Sequence, residues 1–284
     1  MLPLTAVAVA AATTVAGQTA VFSSRVELVY LDVFVTRDGA PVAGLKARHF
    51  EVRDEGVVQR VELLAAANLP LRTVLVLDTS GSLGPYKLVH LRDAARDLAH
   101  RLRADDPLEL LTFDQELRPR PIASATELDE ALSALRPSGG TALYDAIYAG
   151  LGRTPGPDRS VLIVFTDGED NMSWLGEAAI LERVRRTNAV VHAVGIRPVW
   201  DEREPPHLES MSRLARATGG RLWTASSAAE LSRTFETILE AMRHRYLLRF
   251  EPSVARPGWH RLQVRLRGVQ GGVEARPGYF AALP

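Results

Sequence analysis

Apolar and polar positions repeat along this chain with two different periods. From Arg25 to Leu64 the pattern is that of β-structure. Residues 26–36 are rich in valine, leucine and aromatic side chains and close on the turn Arg37-Asp38-Gly39-Ala40-Pro41. Residues 50–53 and 57–64 flank Asp54-Glu55-Gly56, which reads as a hairpin. From Thr73 to Arg245 strands alternate with helices. The apolar runs 73–77, 108–113, 161–165 and 190–195 are short and continuous, as strands covered on both faces are. Leu88, Leu91, Ala95, Leu98 and Leu102 recur at helical spacing, as do Leu231, Phe235, Ile238, Leu239 and Met242. Such alternation predicts an α/β fold, a doubly wound parallel sheet whose ligands bind beyond the carboxyl ends of its strands.

After Tyr246 the period returns to two. His260, Leu262, Val264 and Leu266 alternate with Arg261, Gln263, Arg265 and Arg267, whose arginines read as the wet face of an edge sheet. Residues 246–250 and 273–280 read as neighbouring strands. The two β stretches predict a small β-sandwich built from residues 25–68 and 246–284, with an α/β domain, residues 70–243, inserted between them.

Composition narrows the function. The 34 basic and 34 acidic residues cancel, which argues against a nucleic-acid partner and gives no attraction to an anionic membrane. Without cysteine there are no disulfides, thiolate nucleophiles, zinc–sulfur sites or iron–sulfur clusters. Only Lys46 and Lys87 among the basic residues are lysine, a skew that reads as base composition of the source genome. No charge precedes Arg25. Residues 1–20, an apolar run followed by small residues with a cleavage site near Gly17 or Ala20, resemble a signal peptide without the usual positive n-region. That predicts export, to the medium or to the periplasm and cell envelope. No other stretch approaches the roughly 18 apolar residues of a membrane span.

The candidate chemistry lies where the predicted strands end. Asp78-Thr79-Ser80-Gly81-Ser82 places a carboxylate and two hydroxyls at alternate positions of a turn. Ser138-Gly139-Gly140-Thr141 opens a predicted helix, residues 142–151, with glycines that allow close backbone approach and one more hydroxyl. Thr166-Asp167-Gly168-Glu169 brings a second carboxylate. Hard oxygen donors of this kind suit Mg²⁺ or Mn²⁺ rather than zinc or copper.

Asp78-x-Ser80-x-Ser82, Gly140-Thr141 and Thr166-Asp167-Gly168 together resemble the metal-ion-dependent adhesion site of von Willebrand factor A domains, over roughly residues 70–243. Phe50-Glu51-Val52-Arg53-Asp54-Glu55-Gly56 and Ala275-Arg276-Pro277-Gly278-Tyr279-Phe280 resemble segments of the exported bacterial VWFA-related Acidobacterial domain proteins. The resemblance implies that Ser80, Ser82 and Thr141 bind an ion directly or through water, with Asp78 and Asp167 sharing direct and outer roles. It implies Mg²⁺, with Mn²⁺ or Ca²⁺ as alternatives, and a protein ligand whose exposed Asp or Glu completes the coordination. That is an adhesion-type binding device and not an enzyme. Two other readings stay open: an intracellular adaptor assisting an ATPase, and a metal-dependent phosphohydrolase, which needs further carboxylates or histidines.

Other residues carry weaker signals. Asp114 ends one strand and Asp145 lies one turn into a helix, so each is an outer carboxylate of the site, or in the case of Asp145 a helix-terminus charge. Glu169 and Asp170 either tune the ion or face solvent. Residues 198–206, with Trp200, form a loop on the same side, and an exposed Trp there suits partner contact. His192 reads as a core residue of a buried strand. Asp78-Thr79-Ser80-Gly81 lacks the second copy an aspartic protease requires, and neither Ser80 nor Ser82 sits in a Gly-x-Ser-x-Gly elbow.

Overall fold

The computed structural model describes residues 28–64, 69–154, 159–196, 206–253 and 256–281. The chain begins with β1 (Val29–Arg37), β2 (Ala40–Pro41), β3 (Phe50–Asp54), β4 (Val57–Gln59) and β5 (Val61–Leu64). An alternating run follows: β6 (Arg72–Asp78), α1 (Gly84–His100), β7 (Leu108–Phe113), β8 (Leu117–Ile122), α2 (Ala125–Ala134), α3 (Leu143–Leu151) and β9 (Ser160–Thr166). It continues with α4 (Glu177–Arg185), β10 (Val190–Ile196), α5 (Pro206–Ala217), β11 (Leu222–Ala225) and α6 (Ala228–Arg243). The chain closes with β12 (Tyr246–Phe250), β13 (Gly258–Leu266), β14 (Gly272–Glu274) and β15 (Gly278–Ala281).

The alternating run forms a six-stranded sheet in the order β11-β10-β9-β6-β7-β8. Side chains of successive strand residues point to opposite faces, and each face has its own core. Leu75, Leu77 and Ile163 pack with Leu91, Leu132 and Phe235, from α1, α2 and α6. Val74, Val76 and Leu162 pack with Ile147, Ile180 and Leu214, from α3, α4 and α5. Helices thus cover both faces, as the unbroken apolar runs require. Ser124 and Ser227 cap α2 and α6 by accepting from Glu127 N and Glu230 N, the capping-box spacing.

One strand departs from the parallel expectation. β8 runs antiparallel to β7, pairing Leu111 with Pro119 and Glu109 with Pro121, and makes the sheet mixed. Leu117-Arg118-Pro119-Arg120-Pro121-Ile122 carries no apolar run. Its two prolines share a parity, which lets both donorless nitrogens face the open edge, the place where sheets accept proline.

The flanking strands make two further sheets, β14-β1-β12-β5 with β2 paired to β1, and β15-β13-β3-β4. Leu31, Val33, Leu248 and Phe250 of one bury against Phe50, Val52, Leu262 and Tyr279 of the other, giving a sandwich core. Three readings are corrected here. Residues 57–64 are two strands: β4 pairs with β3, whereas β5 crosses to pair with β12. Residues 273–280 likewise divide into β14 and β15, in different sheets. And β13 is internal, lying between β3 and β15, so Arg261, Arg265 and Arg267 are exposed but not on an edge strand. Arg267 instead bonds Glu51 across the sheet at 2.7–2.9 Å.

A buried charge cluster joins the sandwich to the α/β part. Asp32 Oδ1 of β1 lies 3.6 Å from Arg159 Nε and 4.0 Å from Arg245 Nε. Arg159 also donates to the Met242 carbonyl of α6, and Arg245 Nη2 to the Gly219 carbonyl at 2.6 Å. Burial lowers the Arg245 pKa to about 10, so it stays charged at neutral pH. His192 is buried within β10. Its Nδ1 accepts from Trp223 Nε1 (3.2 Å) and the Arg221 amide (3.3 Å), and burial lowers its pKa to about 3, keeping the ring neutral.

His260 is the opposite case. Its Nδ1 lies 2.9 Å from Asp54 Oδ1 and its Nε2 lies 2.6 Å from the Arg256 carbonyl, so both ring nitrogens face acceptors. Burial opposes the charged ring, but these two partners outweigh it and hold the His260 pKa above its ordinary value. A folded pKa raised above the unfolded one stabilises fully below about pH 6.5 and is lost as pH rises through the raised value. Urea unfolding of wild type and His260→Gln should therefore differ most below pH 6.5 and converge at alkaline pH. A difference independent of pH would refute the charged pair.

Candidate functional site

The chain runs from β6 to β7 and β8 on one side of β6, then returns to place β9 on the other. The carboxyl ends of β6 and β9 therefore border the point where strand order reverses, the crevice that α/β sheets leave open for ligands. Asp78 is the last residue of β6, and Thr166 the last of β9.

Four of the five residues singled out by sequence form one chain of contacts there. Asp78 is fully buried; its Oδ1 accepts from the Ser80 amide at 2.8 Å and its Oδ2 from Thr166 Oγ1 at 2.7 Å. Ser80 Oγ and Ser82 Oγ lie 3.0 Å apart, and Ser82 Oγ donates to Asp167 Oδ1 at 2.9 Å. Thr141, the fifth, is buried and reaches the same place: a Cβ on Gly168 would lie 3.2 Å from Ser82 Oγ and 3.6 Å from Thr141 Oγ1. Gly168 thus lets the Ser82 hydroxyl close over its backbone, with the Thr141 hydroxyl in ordinary contact beside it.

The intervening loops interlock. Gly81 N donates to the Gly139 carbonyl (3.0 Å) and Ser138 N to the Thr79 carbonyl (2.9 Å). Gly139 has φ +66°, a conformation glycine adopts without strain. A Cβ on Gly140 would stand 2.4 Å from Met172 Cγ and 2.7 Å from Asn171 Oδ1, so the closeness of the third loop, residues 167–176 between β9 and α4, depends on that glycine.

Burial pushes the Asp78 carboxyl above its ordinary pKa, and the charge of Asp167 adds to this; hydrogen bonds from Ser80 and Thr166 oppose it. Lys87 Nζ, from the first turn of α1, lies 2.5 Å from Asp167 Oδ2 and offsets part of the negative charge. Two carboxylates and three hydroxyls around a glycine backbone make a donor set that fits a hard, oxygen-loving divalent ion.

The supporting carboxylates have structural duties that sequence left open. Asp114 accepts from the Glu116 amide and from Ser138 Oγ; burial raises its pKa, but these bonds and Arg118 outweigh it and hold it low. Asp145 accepts from the Trp174 and Leu175 amides at 2.9 and 3.0 Å, tying α3 to the third loop rather than charging its own helix end. Asp170 accepts from the Tyr144 amide at the start of α3 and from Ser173 Oγ at 2.5 Å. Glu169 is exposed. Residues 198–205, with Trp200, lie outside the described residues. The sequence reading gave Thr166 Oγ1 no role and missed Lys87, Asn171 and Trp174. Lys87 had a signal, as one of only two lysines; Trp174 had one too, six residues beyond Gly168.

The sequence profile of the von Willebrand factor type A domain matches residues 73–237, more than half of the chain, and the chain belongs to that family. Domains of this family are generally non-enzymatic protein-interaction modules that commonly bind a divalent metal. Among curated proteins the chain is 27% identical over 185 residues to an uncharacterized protein of Synechocystis sp., covering 61% of this chain and 42% of that one. It is 25% identical over 147 residues to inter-alpha-trypsin inhibitor heavy chain H2 of Sus scrofa, covering 45% and 16%. The chain thus spans less than half the length of these relatives. Among solved structures it resembles a von Willebrand factor type A protein from Catenulispora acidiphila, with TM-score 0.54, 14% identity, and coverage of 85% of this chain and 75% of that one. Proximal thread matrix protein 1 of the mussel byssus gives TM-score 0.51 at 17% identity, over 66% and 49%. At these identities the structures establish the fold.

Proposed function

We propose that this chain is an exported, non-enzymatic binding module that captures a carboxylate of a protein partner through a divalent ion. Asp78, Ser80, Ser82, Thr141 and Asp167 would hold the ion, Mg²⁺ or else Mn²⁺ or Ca²⁺. The observation that carries the reading is the unbroken chain of contacts from Asp78 through Ser80 and Ser82 to Asp167, formed at the crevice between β6 and β9. An ion bound there supplies positive charge and an exchangeable position for an anionic oxygen. The protein's own part is to hold that position in place, with Ser82 at its exposed rim. Thr166 and the Ser80 amide keep the Asp78 carboxylate oriented, and Lys87 adds positive charge on the side of Asp167. The neutral serine and threonine hydroxyls leave much of the ion's charge available to the partner.

The sandwich serves as the mount, because the chain leaves it after β5 and re-enters it from α6 through β12. Among the described residues no helix is long and apolar enough to cross a membrane. The export part of the reading rests on residues 1–20 alone.

The test is retention of the full chain on surfaces densely coupled with acetyl-Gly-Gly-Asp-Gly-Gly or with its Asn counterpart, in Mg²⁺ or EDTA. Retention should need both the carboxylate and the ion, and Asp167→Ala should abolish it. Equal retention on the Asn surface, or in EDTA, would sink the proposal.

A further inference from the structure

Beside the candidate ion site the third loop leaves large apolar side chains in water. Trp174 is 97% exposed and Met172 48% exposed. Their backbone, by contrast, is held tightly. The Trp174 amide donates to Asp145 Oδ2 (2.9 Å), the neighbouring Leu175 amide to Asp145 Oδ1 (3.0 Å), and the Met172 amide to the Thr141 carbonyl (3.1 Å). Ser173 is bound through Oγ to Asp170, and Asn171 Oδ1 accepts from the Thr141 amide at 2.8 Å. The Met172 side chain lies over Gly140, next to the hydroxyl-bearing Thr141.

A loop fixed by this many polar bonds could have turned its tryptophan inward. Instead it presents Trp174 with little backbone freedom left to lose on docking. Tryptophan is among the side chains most enriched in residues that dominate binding energy, since it can bury a large area. Met172 lies over Gly140, the residue before Thr141, and its amide bonds the Thr141 carbonyl, so the patch starts beside the candidate ion site.

The geometry points to an apolar docking shelf, Met172 and Trp174, that receives an aliphatic or aromatic side chain adjacent to the partner's metal-binding acid. The partner is thus a protein segment in which Asp or Glu is flanked by apolar residues, rather than an acidic run. The inference rests on the carboxylate-capture reading above and specifies which carboxylates are taken.

The experiment compares the full chain on surfaces bearing acetyl-Gly-Leu-Asp-Leu-Gly, acetyl-Gly-Gly-Asp-Gly-Gly and acetyl-Gly-Leu-Asn-Leu-Gly, in Mg²⁺ and in EDTA. The leucine-flanked acid should bind about tenfold more tightly than the glycine-flanked one in Mg²⁺. In solution, the same flanked peptide should shift tryptophan emission to the blue in wild type. Trp174→Ala should retain the two acidic peptides alike. Trp174→Phe should keep the preference and lose the spectral shift, which separates docking from misfolding. If the glycine-flanked acid binds and leucine adds nothing, or if Trp174→Ala keeps the preference, the shelf is refuted while carboxylate capture stands. Binding of the Asn peptide equal to that of its Asp counterpart, or equal binding in EDTA, also refutes it. If no acidic peptide binds in Mg²⁺, both readings fall together.

Discussion

Mg²⁺ at about 100 times its dissociation constant should stabilise the wild-type chain by roughly 2.7 kcal/mol relative to EDTA. For a domain of this size that is a rise of roughly 5–10 °C in the unfolding midpoint. The Asp78→Ala, Asp167→Ala double variant should show no rise at any Mg²⁺ concentration. The expectation follows from where the carboxylates sit. Asp78 is fully buried, and the Asp167 carboxylate is only 1% exposed, with Lys87 as its charged partner. Two such groups within one chain of contacts repel each other, which is part of why Asp78 is pushed above its ordinary pKa. A divalent ion held by Asp78, Ser80, Ser82, Thr141 and Asp167 would relieve that repulsion in the folded state only, because those residues come from three loops that unfolding scatters. Calorimetric scans with Mg²⁺, Mn²⁺ and Ca²⁺ would also rank the ions. Identical midpoints for wild type in EDTA and in millimolar metal would remove the ion from the function.

The second large effect lies far from the site. Asp32→Ala should destabilise the chain by about 3–5 kcal/mol, the range seen when one partner of a buried ion cluster is removed. Asp32 is the carboxylate within 4.0 Å of both the Arg159 and Arg245 Nε atoms, and all three side chains are buried. Without it two guanidinium groups face each other in a low-dielectric junction. The Asp32→Ala, Arg245→Met double variant should recover part of the loss, since it also removes one of those charges. Urea unfolding reads both. A loss under about 1 kcal/mol for Asp32→Ala would mean that water or neighbouring carbonyls already screen the cluster.

The readings that failed share a cause. The strands at 72–78, 108–113, 160–166 and 190–196 carry unbroken apolar runs because helices cover both their faces, and that signal is local. β8 has no such run, since an edge strand with Pro119 and Pro121 satisfies only one neighbour. The strands 57–59 and 61–64 look continuous because both are rich in valine and leucine and only Arg60 separates them. What changes at Arg60 is the partner, and partners are distant in sequence. Likewise β13 shows its wet and dry faces correctly through Leu262 and Arg261, while its internal position depends on β3 and β15. The site divides the same way. Asp78, Ser80 and Ser82 are legible because one turn holds them. Lys87, Asp145 and Asn171 act across 80, 29 and 30 residues of chain, respectively, and nothing local names their partners.

By itself, then, the order of residues determined the buried strands of the α/β part and the helices that alternate with them, the wet and dry faces of β13, and which side chains could serve a hard ion. These depend on periodicity and on donor chemistry, properties of short stretches. Only the tertiary structure decided that β9 returns to the far side of β6, which opens the crevice where Asp78 and Asp167 meet. It also decided that Asp145 and Asp170 serve as struts for the third loop, and that this loop leaves Trp174 in water. Those outcomes depend on contacts between residues far apart along the chain, whose closure entropy is offset only when the whole sheet forms.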